Sequence, residues 1–146
     1  MSEYEILKFY EDALIHIEDV LGTNETTNQQ LEKLCVKLFG GDFLGVFAAN
    51  KWPKLILNNQ MFIINNKSGR SSGEHWIAII KYKNKIYGFD SFARPIIKLS
   101  PYFKNKTIKN ANHERNQSFL SYDCGPRSIA FLITFQKYKL KCLRVI

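Results

Sequence analysis

Three residues in this chain have the types and spacing for covalent chemistry: Cys124, His75 and Asp90. Cys124 lies in residues 116–135, Asn-Gln-Ser-Phe-Leu-Ser-Tyr-Asp-Cys-Gly-Pro-Arg-Ser-Ile-Ala-Phe-Leu-Ile-Thr-Phe. A polar, turn-like segment leads into Asp123-Cys124-Gly125-Pro126, and an unbroken apolar run follows. The pattern predicts Cys124 at a helix N-terminus, where free backbone N–H groups and the positive end of the dipole favour a thiolate. Gly125 would let a substrate backbone approach the sulfur, and Pro126 suits a first helical turn. Gln117, seven residues upstream, is placed for a loop to return its amide beside the sulfur as an oxyanion donor.

A thiol needs a base. Residues 73–82, Gly-Glu-His-Trp-Ile-Ala-Ile-Ile-Lys-Tyr, read as a loop running into a buried strand. Asn84-Lys85 reads as a tight turn, and residues 85–92, Lys-Ile-Tyr-Gly-Phe-Asp-Ser-Phe, as the return strand of a hairpin. His75 opens the first strand and Asp90 closes the second, so an antiparallel hairpin makes them neighbours. Asp90 would accept from one imidazole nitrogen and leave the other to take the thiol proton. Taken singly, a core thiol, a surface histidine and a turn aspartate are the ordinary readings. Together, at one end of a hairpin and the start of one helix, they point to nucleophilic catalysis. His113 is a rival base eleven residues before Cys124, but its neighbour Glu114 would face the other way along a strand.

The order His-Trp, acidic residue, Gln, Cys-Gly resembles the adenain class of viral maturation proteases and, more distantly, the SUMO-specific proteases. The resemblance runs from about residue 62 to about residue 134. It includes the approach Phe-Ile-Ile-Asn-Asn-Lys-Ser-Gly-Arg-Ser-Ser-Gly-Glu-His-Trp over 62–76, Phe-Asp-Ser-Phe over 89–92, and the Gln-to-Cys spacing. It implies His75 as base, Asp90 as its orienter in place of the adenovirus Glu, Cys124 as nucleophile and Gln117 as oxyanion donor. It further implies a cysteine endopeptidase that cleaves virion or capsid precursor proteins near glycine during particle maturation. Such an enzyme works in the virion and the infected cell, in cytoplasm or nucleus. It needs no metal or organic cofactor, and DNA is a candidate stimulator. Two other readings stay open: a deSUMOylating or deubiquitinating isopeptidase of the same superfamily, and a non-catalytic DNA- or capsid-binding protein that keeps the fold.

The whole chain must position these residues. At 146 residues, 45% hydrophobic and 14% aromatic, it reads as one packed domain over 1–146. No stretch reaches transmembrane length and no signal peptide is evident, so neither a membrane nor secretion is expected. Three scattered cysteines argue against a disulfide framework and have no zinc-ligand spacing. The net charge of +8 suits non-specific binding to DNA through Lys104, Lys106 and Lys109 and through Lys137, Lys139, Lys141 and Arg144; a solvated surface explains it equally well.

The expected fold is α+β: N-terminal helices, a central, mostly antiparallel sheet, and the nucleophile at the start of a core helix packed on it. Ser2 with Glu5 and Thr27 with Gln30 are capping signals. Ile6, Tyr10, Ala13, Leu14, Ile17 and Leu21, then Leu31, Leu34, Cys35, Leu38 and Phe39, give two buried stripes. Gly22 and Gly40-Gly41 end these helices. Residues 61–65 read as a short buried strand and 67–73 as a polar loop at a groove edge. Residues 95–103 read as a short helix broken by Pro101, and 107–110 as an added strand. Trp52 is core or groove wall, with core preferred. The last helix should run from Cys124 to about Lys139, with Cys142 in a basic tail.

Overall fold

A computed structural model describes residues 2–22, 26–55, 57–66, 75–112, 123–143 and 145–146. Two helices lead, α1 (Glu3–Leu21) and α2 (Asn28–Phe39), followed by a 3-10 turn at Gly40–Asp42. Five strands follow: β1 (Phe43–Phe47), β2 (Met61–Asn65), β3 (Trp76–Tyr82), β4 (Lys85–Phe89) and β5 (Lys109–Asn110). Two 3-10 turns, Ile96–Lys98 and Pro101–Phe103, separate β4 from β5. Then comes α3 (Cys124–Tyr138), which runs into a 3-10 turn at Lys139–Cys142.

Both leading helices start where the capping residues place them. Ser2 accepts from the Glu5 N–H at 3.2 Å. Thr27 and Gln30 close a full capping box: Thr27 N–H donates to Gln30 Oε1 at 2.8 Å and Gln30 N–H to Thr27 Oγ1 at 3.2 Å. Ile6, Tyr10, Leu14 and Ile17 form the buried face of α1, and Leu31, Cys35 and Phe39 that of α2. Leu38, expected in the second stripe, is 42% exposed.

The sheet has the order β1-β2-β3-β4-β5. It is mixed rather than mostly antiparallel: β2–β3 and β3–β4 are antiparallel, whereas β1–β2 and β4–β5 are parallel. The cause lies in the connections. A two-residue turn joins β3 to β4, but longer excursions carry the chain from β1 to β2 and from β4 to β5, and those allow the chain to return in the same direction. The hairpin turn is Lys83–Asn84, one residue earlier than expected. Both residues have positive φ, 48° and 64°, as a two-residue hairpin turn of the type that matches strand twist requires. Strand β1 has no counterpart among the strands expected from sequence, because Gly45 interrupts its apolar run.

Side chains alternate between two cores. Met61, Ile63, Trp76, Ala78, Ile80, Tyr87 and Phe89 face the helices, while Phe62, Ile64, Ile77 and Ile79 face a layer made by Ala49, Ile96 and Phe103. Trp52 belongs to that second layer and meets Phe62 and Phe103 edge-to-face at centroid distances of 5.3 and 5.2 Å. Gly88 is small because Ile96 and Ile108 lie across it: a Cβ there would meet their side chains at 2.9 and 3.0 Å.

Helix α3 is the centre of the molecule. It packs on β3 with one side and on α1 with another, which is why it is apolar almost all round. Phe135 touches the rings of Tyr82 and Tyr87, each at a centroid distance of 5.7 Å. Cys142, expected in a basic tail, is buried within the closing 3-10 turn.

Candidate active site

The hairpin brings His75 and Asp90 together. His75 immediately precedes β3 and Asp90 immediately follows β4, and the register pairs Ala78 with Phe89. Both side chains are buried, and His75 Nε2 hydrogen-bonds Asp90 Oδ1. Burial alone would push the Asp90 carboxyl up, but hydrogen bonds from His75 and Arg94, with their charges, outweigh it and hold it down at about 2. Asp90 is therefore a carboxylate at neutral pH and can only accept. Nε2 must carry a proton, which leaves Nδ1 as the ring nitrogen open to act as a base.

The short aspartate side chain suits this place. Its Oδ1 accepts from the Phe92 N–H at 3.3 Å and its Oδ2 from the Arg94 N–H at 3.0 Å. The carboxylate thus caps the turn of its own chain, as Asp does well, while still meeting His75. Arg94 Nε adds a bond to Oδ2 at 2.9 Å and Nη2 one to Oδ1 at 3.4 Å. Asn112 Nδ2 donates to the Asp90 carbonyl at 2.8 Å and ties the turn to the end of β5. Phe92 stacks on the imidazole of His75, centroids 5.2 Å apart and planes at 27°.

Cys124 is the first residue of α3, as expected. The helix start is fixed against β3 where Ser128 Oγ donates to the Trp76 carbonyl at 3.2 Å. The thiol is 5% exposed. Burial pushes it above its ordinary range, and the nearby Asp123 charge adds to that. Backbone N–H groups of Trp76, Gly125 and Cys124 itself pull the other way without overcoming it. Burial thus opposes the thiolate that the helix N-terminus alone would favour. The Trp76 N–H that faces the sulfur belongs to the residue next to His75, so Cys124 and His75 share one peptide's neighbourhood.

Gly125 has a reason other than open space for a substrate. A Cβ there would meet Leu31 Cδ2 at 3.0 Å and Thr26 Oγ1 at 3.1 Å. The glycine lets the start of α2 lie against the start of α3. Asp123 leads the helix without capping it and instead pairs with Arg127, Oδ1 to Nε at 3.0 Å. Burial, then a hydrogen bond to Asp123, raises the carboxyl of Glu18 on α1 to about 7. Gln117, His113, the loop 67–73 and Arg144 lie outside the described residues.

The residues that sequence reasoning missed are Phe92, Arg94 and Asn112. An aspartate followed four residues later by an arginine, across a non-helical turn, was the available signal for Arg94. The other two carry no pattern of their own.

Cys35 and Cys142 are buried, and burial pushes both thiols up, that of Cys142 to about 12. Among the described residues no group of His, Cys, Asp and Glu could hold a metal, and no helix is long and apolar enough to cross a membrane. Several of the lysines considered for DNA lie against aromatic rings: Lys106 over Trp52 at 4.9 Å, Lys137 over Phe9 at 4.5 Å and Lys139 over Tyr82 at 5.7 Å. No protein-family model and no curated protein matches this chain.

Proposed function

We propose that this chain is a cysteine endopeptidase with the fold and mechanism that its adenain resemblance implies. One observation carries the reading: a buried His75–Asp90 pair beside the peptide whose N–H faces the Cys124 thiol. In this mechanism His75 Nδ1 takes the proton of Cys124, and the sulfur attacks the scissile carbonyl. Carbonyl oxygen charge is met by the Gln117 amide and the Cys124 N–H. The imidazolium then gives its proton to the leaving amine, freeing one product and leaving a thioester. Water, deprotonated by His75, adds to the thioester and releases the second product with regeneration of the thiol. Asp90 keeps the ring oriented and steadies its charged form without taking the proton. No step uses a metal or organic cofactor.

The substrates proposed are virion or capsid precursor proteins cut near glycine, in the virion and the infected cell, with non-specific DNA binding through the lysine clusters. Incubation of the wild-type chain and Cys124→Ala with a panel of glycine-containing peptides, read by mass spectrometry, tests it. Cleavage by the wild type alone supports the reading. Equal cleavage by both proteins, or none by either with folded protein and denatured capsid precursors present, overturns it.

A further inference from the structure

Arg94 is held in more ways than a surface arginine needs. Its Nε bonds Asp90 Oδ2 at 2.9 Å, its Nη2 reaches Oδ1 at 3.4 Å, and its backbone N–H bonds Oδ2 at 3.0 Å. Its guanidinium also lies over the Phe92 ring at 5.0 Å, and Phe92 stacks on His75. The same arginine therefore reaches the base by two routes: through the carboxylate that accepts from Nε2, and through the ring that lies on the imidazole. Its side chain is 41% exposed while that of Asp90 is fully buried, so the guanidinium joins a buried charge to solvent.

We propose that Arg94 is a positioning residue of this site: it fixes the Asp90 carboxylate toward His75 and offsets its charge, so that the base meets a nearly neutral acceptor. The inference rests on the protease reading for its consequence in catalysis, but the contact itself does not. A bare carboxylate would hold the imidazolium too firmly for it to return its proton to a leaving amine. A more basic His75 would also take the Cys124 proton more readily, so that the thiolate would form at lower pH. A fork of two N–H groups gives the orientation as well as the charge, which a lysine does not.

The test compares wild type, Arg94→Gln, Arg94→Lys and His75→Ala. Alkylation of Cys124 by iodoacetamide is followed from acid to alkaline pH, and the imidazole N–H proton of His75 by NMR. In Arg94→Gln the alkylation profile should move to lower pH, and turnover should fall roughly 10- to 100-fold at unchanged KM, the scale of one lost charged hydrogen bond. The His75 N–H resonance should broaden or shift. Arg94→Lys should keep the pH position and recover only part of the turnover. An unchanged profile and resonance in Arg94→Gln overturn the proposal. So does a fully wild-type Arg94→Lys, which also decides the matter if Arg94→Gln does not fold. If His75→Ala leaves wild-type alkylation rates intact, the protease reading fails, while the NMR comparison still judges Arg94 on its own.

Discussion

Phe89 lies flat on Phe131, ring centroids 4.7 Å apart and planes 7° from parallel. Phe89 precedes Asp90 in the chain, and Phe131 lies about two turns beyond Cys124 on α3. The stack fastens the strand that leads to Asp90 to the helix that starts at Cys124. Phe131→Ala should cost about 3–5 kcal/mol of stability, the usual range for a buried phenylalanine. It should also slow Cys124 alkylation in the protein that remains folded. Urea unfolding with parallel labelling checks both; a loss of stability with unaltered labelling would show that the stack holds the fold and not the site.

The three thiols should separate cleanly. In the native protein near pH 8, iodoacetamide should modify Cys124 first and leave Cys35 and Cys142 untouched until denaturant is added, because the proposed mechanism gives Cys124 a base in His75 and gives the other two none. His75→Ala should slow Cys124 to the level of the other two. Peptide mapping by mass spectrometry reads the order. Faster modification of Cys142 than of Cys124 would contradict the assignment.

Acid should weaken the fold through Asp90. Its carboxyl is held at about 2 in the folded chain and sits near 3.9 when unfolded. A depressed folded value stabilises above the unfolded one, and that stability is lost as pH falls from about 4 through about 2. The amount is on the order of 2 kcal/mol. Asp90→Asn should be less stable than wild type at pH 7 and lose less on going to pH 2.5, as measured by urea midpoints.

Glu18 should give a slope of the opposite sign. Its carboxyl is raised to about 7 in the fold, so the folded chain keeps a proton that the unfolded chain has lost. Between about pH 4.5 and 7 its contribution to stability falls as pH rises, then levels off. Glu18→Gln should remove this slope and gain on the wild type at pH 8 relative to pH 5. Parallel slopes in thermal melts of the two proteins would rule the effect out.

DNA binding, if carried by the lysines, should be indifferent to sequence and weaken with salt by about 0.9 in log–log slope per phosphate contact on duplex DNA. Fluorescence anisotropy with two unrelated duplexes at low and physiological salt measures this. Absence of binding at low salt would leave the lysines as a solubilising surface.

The parts of the fold set by local rules could be read from sequence. Ser2, Thr27 and Gly22 marked helix ends because capping chemistry is local. Residues 61–65 and the His75 strand showed as short apolar runs, and Cys124 was placed at the start of its helix by the switch from a polar sequence pattern to an apolar one. The parallel pairings of β1 and β5 were not legible, since long connections carry no register signal. The hairpin turn was misplaced by one residue because Lys83 gives no hint that it adopts positive φ. Within the site, His75 and Asp90 follow from hairpin geometry. The coupling of Arg94 to Asp90 depends on a turn shape that no periodicity encodes. The upward shift of the Cys124 thiol depends on burial by residues distant in sequence.

Helix α3 lies between α1 and the sheet, yet it is synthesised after both. During translation the helix-facing side of β2, β3 and β4 emerges bare, and α1 waits for a partner more than a hundred residues downstream. Contacts of such sequence separation form slowly, and the uncovered strands are open to association with other chains meanwhile. A product truncated before Cys124 would lack more than that thiol: it would present the apolar face of a sheet, and insolubility would be its first phenotype.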